Sequence, residues 1–102
     1  MAHRVLLTLT SHGTLGATGA ATGFWLEELT GPLAVLRAAG IDAEVASITG
    51  GRPPIDPASA GVDTSDVADL DTILTSTAPI DEVDAADFDG VFLVGGHGTM
   101  WD

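Results

Sequence analysis

The chain contains no cysteine, so these 102 residues can form no disulfide and supply no thiol nucleophile of their own. Lysine is also absent. Three arginines stand against fifteen aspartates and glutamates, for a formal net charge of -12. A chain so acidic repels phosphate backbones, which excludes nucleic acid as a partner. It is equally unsuited to anionic membrane surfaces. No stretch approaches the roughly 20 apolar residues needed to cross a bilayer. The apolar run after Arg4 is too short for a secretory signal and no small-residue cleavage site follows it. A cytoplasmic location is the expectation. With 45% hydrophobic residues the chain can still bury a core, and its length suits one small domain.

What is present alternates between apolar runs and small-residue loops. Val5 to Thr10 shows hardly any polar alternation and reads as a strand of a parallel sheet, buried on both faces. Ser11 to Gly23 is a loop of small residues, long enough to be functional. A helix is expected from about Thr22 to Phe24, with Thr22 as its N-cap, Glu27 and Glu28 near its positive end, and Gly40 as its C-cap. Pro32 should kink that helix or open a second one. Ile41 to Ile48 reads as a second strand, completing a parallel βαβ unit. Gly50 to Pro57 carries three prolines and should be rigid. A short amphipathic helix is expected within Ser65–Thr77, with Val67, Leu70, Ile73 and Leu74 on one face. Residues 63–89 hold nine acids and no base, which reads as a solvated acidic face. Val91 to Val94 is the clearest buried strand and runs into Gly95-Gly96-His97-Gly98. Open parallel sheets place their sites beyond strand carboxyl ends. The chain stops within such a loop, which reads as a doubly wound sheet cut near its middle.

Several constellations could carry chemistry. Gly13, Gly16 and Gly19 precede a helix, but the spacing is not that of a dinucleotide loop and no acid ends the second strand. His3, His12 and His97 lack any metal-ligand spacing, so no metal site is expected, and His12 reads as a loop residue that hydrogen-bonds locally. Glu27 and Glu28 sit at a helix start after a glycine-rich loop. One of them should face inward, and a carboxylate buried there could shuttle protons. The glycines at 95, 96 and 98 let backbone N–H groups approach a ligand closely, as an oxyanion hole requires.

Four segments together resemble a known family. They are Gly23-Phe24-Trp25-Leu26-Glu27-Glu28-Leu29-Thr30-Gly31-Pro32, Ala39 to Ser47, Gly50 to Pro57, and Asp89 to Asp102 with its Gly-Gly-His-Gly-Thr-Met-Trp-Asp ending. The combination is similar to the ThiJ/PfpI superfamily, of class I glutamine amidotransferase-like fold, and within it to the branch of glutathione-independent glyoxalase III and related holding chaperones. The resemblance implies the amino-terminal half of a flavodoxin-like α/β sandwich, with a doubly wound parallel sheet. It makes residues 1–102 one part of a single domain whose nucleophile-bearing part, a Cys-His elbow, lies outside this chain. It implies that Glu28, four residues before Pro32, is the catalytic acid-base residue, and that Gly96 offers an oxyanion-hole N–H. His97, Gly98 and Trp101 would line the substrate pocket.

The chemistry so implied converts 2-oxoaldehydes such as methylglyoxal to 2-hydroxy acids. A thiolate adds to the aldehyde and a glutamate moves a proton through an enediol. No metal or organic cofactor is called for. The expected partners are the remaining carboxy-terminal part or a second chain, a small aldehyde, and further copies in a homo-oligomer. The 102 residues alone should be inactive. Two other functions stay open: a protease- or amidase-type hydrolase using the same thiol, and a non-catalytic interaction or chaperone module pairing through an exposed sheet edge.

Overall fold

A computed structural model describes residues 3–102. Four strands form one parallel sheet: β1 (Arg4–Leu9), β2 (Asp42–Ser47), β3 (Ala78–Pro79) and β4 (Gly90–Leu93). Their order is β3-β2-β1-β4. Strand β1 is central, in register from Arg4↔Asp42 to Leu9↔Ser47 on one side and from Val5↔Gly90 to Thr8↔Leu93 on the other. The α/β class, parallel sheet and first βαβ unit read from the apolar runs are all present.

Helix α1 (Leu26–Ala38) joins β1 to β2. Leu26, Leu29, Thr30 and Leu33 recur at helical spacing and are its buried face. The three leucines pack with Leu7, Leu9 and Val45 of the sheet and with Val94 just beyond β4, and Phe24, Val67 and Leu74 complete the core. Each such leucine contributes roughly 1.5–3 kcal/mol on leaving water. Gly40 ends the helix as expected. Its φ of 77° is left-handed, and Gly40 and Ile41 donate to the carbonyls of Arg37 and Leu36 at 3.0 Å each.

Three local expectations give way. Helix α1 begins at Leu26, and Thr22 does not cap it. Thr22 is buried and donates instead to the buried Asp56 at 3.1 Å, while the Leu26 N–H is received by Ser59 Oγ at 3.0 Å. A cap 33 residues away leaves no local signal. Pro32 lies inside α1, so the alternative that it opens a second helix is overturned. Strand β4 is the least covered of the sheet, with Val91 55% and Leu93 77% exposed. It pairs with β1 along one edge only. Val91 and Leu93 stand on the face opposite α1, since successive side chains alternate and only Val94 reaches the core.

Short helix α2 (Leu70–Thr75) lies in the expected segment, with Val67 and Leu74 buried and Leu70 and Ile73 packed on the core. Strand β3 was not legible in the sequence. It is two residues long and begins just after Ser47 Oγ meets Thr77 Oγ1 at 2.7 Å. No helix among the described residues is long and apolar enough to cross a membrane.

Candidate active site at the strand carboxyl ends

The chain moves outward from β1 to β2 and β3, then returns to β4 on the other side of β1. This reversal opens a crevice at the carboxyl ends of β1 and β4. Residues 10–25 leave β1 there, and residues 94–102 leave β4.

The proline loop builds the floor. Pro54 C=O accepts from the Phe24 N–H at 3.0 Å, and the Asp56 N–H donates to Phe24 C=O at 2.9 Å. The contact is so close that a Cβ on Gly23 would lie 2.1 Å from the Pro54 oxygen. Phe24 and the following turn are thereby fixed, and α1 starts from a set point. Trp25, its N-cap residue, donates its N–H to Gly95 C=O at 2.8 Å and accepts from the Glu28 N–H at 3.0 Å. The start of α1 and the end of β4 are tied by one residue.

The glycine turn fits against this floor. Gly96 has φ 137°, and a Cβ there would meet Gly23 O at 2.3 Å and Phe24 Cα at 2.6 Å. Gly98 is buried, and a Cβ on it would lie 2.5 Å from His12 O. The N–H groups of Gly95, Gly96 and His97 donate to no acceptor among the described residues.

The Glu28 carboxylate lies over the Cα of Gly95: Oε1 would be 2.5 Å from a Cβ built there. Sequence reasoning brought Glu28 and Gly96 together, and the structure puts the carboxylate beside the residue preceding Gly96. Burial was also expected of the inward glutamate, and here both Glu27 and Glu28 are exposed. Glu28 touches the strand end on one side only, so its outer side meets solvent.

The far end of the turn is fastened to β1. Thr10, 3% exposed, donates its hydroxyl to Asp102 Oδ1 and accepts from the His12 N–H at 3.1 Å. Asp102 Oδ2 accepts from the Ser11 N–H at 2.9 Å. The His12 ring stacks on Trp101, with centroids 4.7 Å apart and planes 14° from parallel. His12 does bond locally, through its backbone N–H to Thr10, while its ring Nε2 is buried and has no partner among the described residues. Trp101 also packs 3.3 Å from the Cβ position of Gly16. His97 is exposed. A cavity of about 380 Å³ opens beside the turn, lined by Thr10, Ile48, Leu93, Gly95, Thr99 and Asp102. His97, Gly98 and Trp101 lie outside that lining. Thr10 and Asp102 were given no site role from the sequence. Their only signal was placement just after β1 and at the end of the Gly-Gly-His-Gly segment.

No dinucleotide loop forms at Gly13, Gly16 and Gly19. Gly16 begins a short 3₁₀ turn, Gly19 follows it at φ 70°, and α1 starts only at Leu26. No cluster of three metal-ligating side chains occurs among the described residues.

No family model and no curated protein matches the sequence. Solved structures do. Rapid encystment protein 24 kDa of Francisella tularensis superposes with a TM-score of 0.89 at 35% identity, over 98% of this chain and 47% of that one. A second crystal structure gives 0.87 at 41% identity, over 100% of this chain and 46% of its own. Glyoxalase III of Candida albicans gives 0.81 at 30% identity, over 98% and 46%. The chain thus spans a little under half the length of each.

Proposed function

Because the chain has the amino-terminal half of a glyoxalase III/ThiJ-type fold, we propose that it supplies the acid-base and oxyanion-binding half of a 2-oxoaldehyde-converting site. A cysteine outside these residues supplies the nucleophile. Its thiolate forms a C–S bond to the aldehyde carbon of methylglyoxal, and the carbonyl oxygen becomes an oxyanion. The Gly96 N–H receives that oxygen. Glu28 takes the hydrogen from the same carbon as a proton and returns one to the neighbouring keto carbon through an enediol. One carbon is oxidised and the other reduced, so no external redox partner is consumed. Water then cleaves the thioester, releasing lactate and the thiol. His97, Gly98 and Trp101, chain neighbours of the cavity-lining Thr99 and Asp102, complete the pocket for a small aldehyde. The reaction asks for neither metal nor organic cofactor.

The observation that carries this reading is the Glu28 carboxylate at Gly95, next to the unpartnered N–H of Gly96 at a sheet switch point. The test is lactate formation from methylglyoxal by the chain alone and by the chain combined with the part of Candida albicans glyoxalase III that it does not cover. The chain alone should be silent and the combination active, with Glu28→Gln abolishing turnover. Full turnover by the Glu28→Gln variant, or by the lone chain, would overturn the proposal.

A second reading, pairing with another chain, is favoured by the exposure of Val91, Phe92 and Leu93 on the free edge of β4. Light scattering of the purified chain tests it. A concentration-independent monomer would sink that reading.

A further inference from the structure

The glycines of the turn are glycines for different reasons. At Gly23, Gly96 and Gly98 the nearest atom to an added Cβ belongs to backbone. A side chain at any of them would push main chain apart. At Gly95 the three nearest atoms all belong to Glu28: Oε1 at 2.5 Å, Cδ at 3.1 Å and Oε2 at 3.2 Å. Gly95 is also absent from the residues with positive φ, so its backbone would accept alanine. The fold does not require glycine here, whereas the position of one carboxylate does.

Both ends of Glu28 refer to this residue. Its N–H donates to Trp25 C=O, and the Trp25 N–H donates to Gly95 C=O. Its carboxylate rests on the Gly95 Cα. Pro32, four residues on, has no N–H to offer the Glu28 carbonyl, so the usual helical bond from that position is missing. The strand end therefore has the larger say in where Glu28 stands.

We propose that Gly95 is a positioning residue whose missing side chain receives the Glu28 carboxylate and sets its distance from the Gly96 turn. The proposal rests on the acid-base role given to Glu28 above. A methyl group at 95 would drive Oε1 outward by roughly 1 Å, a misplacement of the size that costs about 100-fold in rate.

Two measurements test it. In the chain completed with a cysteine-bearing half, Gly95→Ala should lower kcat by about 10- to 100-fold with KM little changed. Glu28→Asp, whose shorter side chain clears the methyl, should cost less on the Gly95→Ala background than on the parent, because the two residues act as one unit. Independent, multiplicative losses would overturn the proposal, and so would an unchanged kcat. The second measurement needs no turnover. In the chain alone, the side-chain carboxyl ¹³C resonance of Glu28 should move on Gly95→Ala while that of neighbouring Glu27 stays. If both stay, the proposal fails. If the Glu28 resonance moves but the completed protein never forms lactate, the contact stands and the glyoxalase reading falls.

Discussion

The two ends of the sheet are fastened by different physics. At the amino end, charge does the work. Arg4 reaches Asp42 at 3.2 Å and Glu44 at 3.0 Å, donates to Asp87 C=O at 3.1 Å, and lies 4.7 Å over the Phe88 ring. Arg37, in the last turn of α1, grips Asp69 through both nitrogens at 2.7 and 3.0 Å. These side chains are well exposed, and exposed pairs contribute little each. At the carboxyl end the fastening is backbone against backbone, through glycines with no room for a methyl group, plus the buried Thr10. On the acid-base role proposed for Glu28, a sheet end that holds its carboxylate in place gains from the second kind. Close packing has one solution, whereas a screened ion pair tolerates many.

The contrast can be broken from its stronger side first. Gly23→Ala forces a Cβ onto the Pro54 carbonyl and should cost about 3 kcal/mol or more, read by urea unfolding. Thr10→Val leaves the Asp102 carboxylate and His12 N–H without their shared hydroxyl. It should cost about 1–3 kcal/mol. Fluorescence at Trp101 should report the loosened turn, with the Trp101→Phe variant as blank for Trp25. Arg4→Gln removes two exposed ion pairs and should cost only about 0–1 kcal/mol, an effect that shrinks in high salt. If Arg4→Gln proves costlier than Thr10→Val, the assignment of the two ends is reversed.

The finest test is by pH. The hydrogen bonds from Arg37 hold the Asp69 carboxyl below its ordinary 3.8. A depressed carboxylate pKa stabilises the fold above the unfolded value, and that contribution is lost as pH falls through the folded one. Arg37→Gln should therefore flatten the decline of stability below about pH 4 and leave the slope near neutrality unchanged. A parallel acid limb in variant and parent would remove this ion pair from the account.

Much of the plan was legible in order of residues. The apolar run of β1, the helical spacing of Leu29, Leu33 and Leu36 in α1 and the glycine stop at 40 are local, and each forces its structure within a few residues. The pair Glu27 and Glu28 and the glycine turn were legible as candidates by type and place, and the choice of Glu28 rested on the family resemblance. The cap of α1 by Ser59, the burial of Thr22 on Asp56 and the strand order were not, because each joins residues more than thirty positions apart or depends on sheet pairing. The apolar run at Val91 to Val94 suggested burial for a related reason, although the exposed edge of the pairing alternative is what β4 shows. Composition records what a strand is suited to touch, and only packing decides what touches it.

By itself, then, the order of residues determined which segments become strand and helix, the acidic surface and the want of a thiol, since these follow from side-chain chemistry and near neighbours. Tertiary structure alone decided that the Glu28 carboxylate meets Gly95, and that Thr10 holds Asp102. Those contacts exist only once β1 and β4 lie side by side, and no local preference encodes a distance between chain segments so far apart.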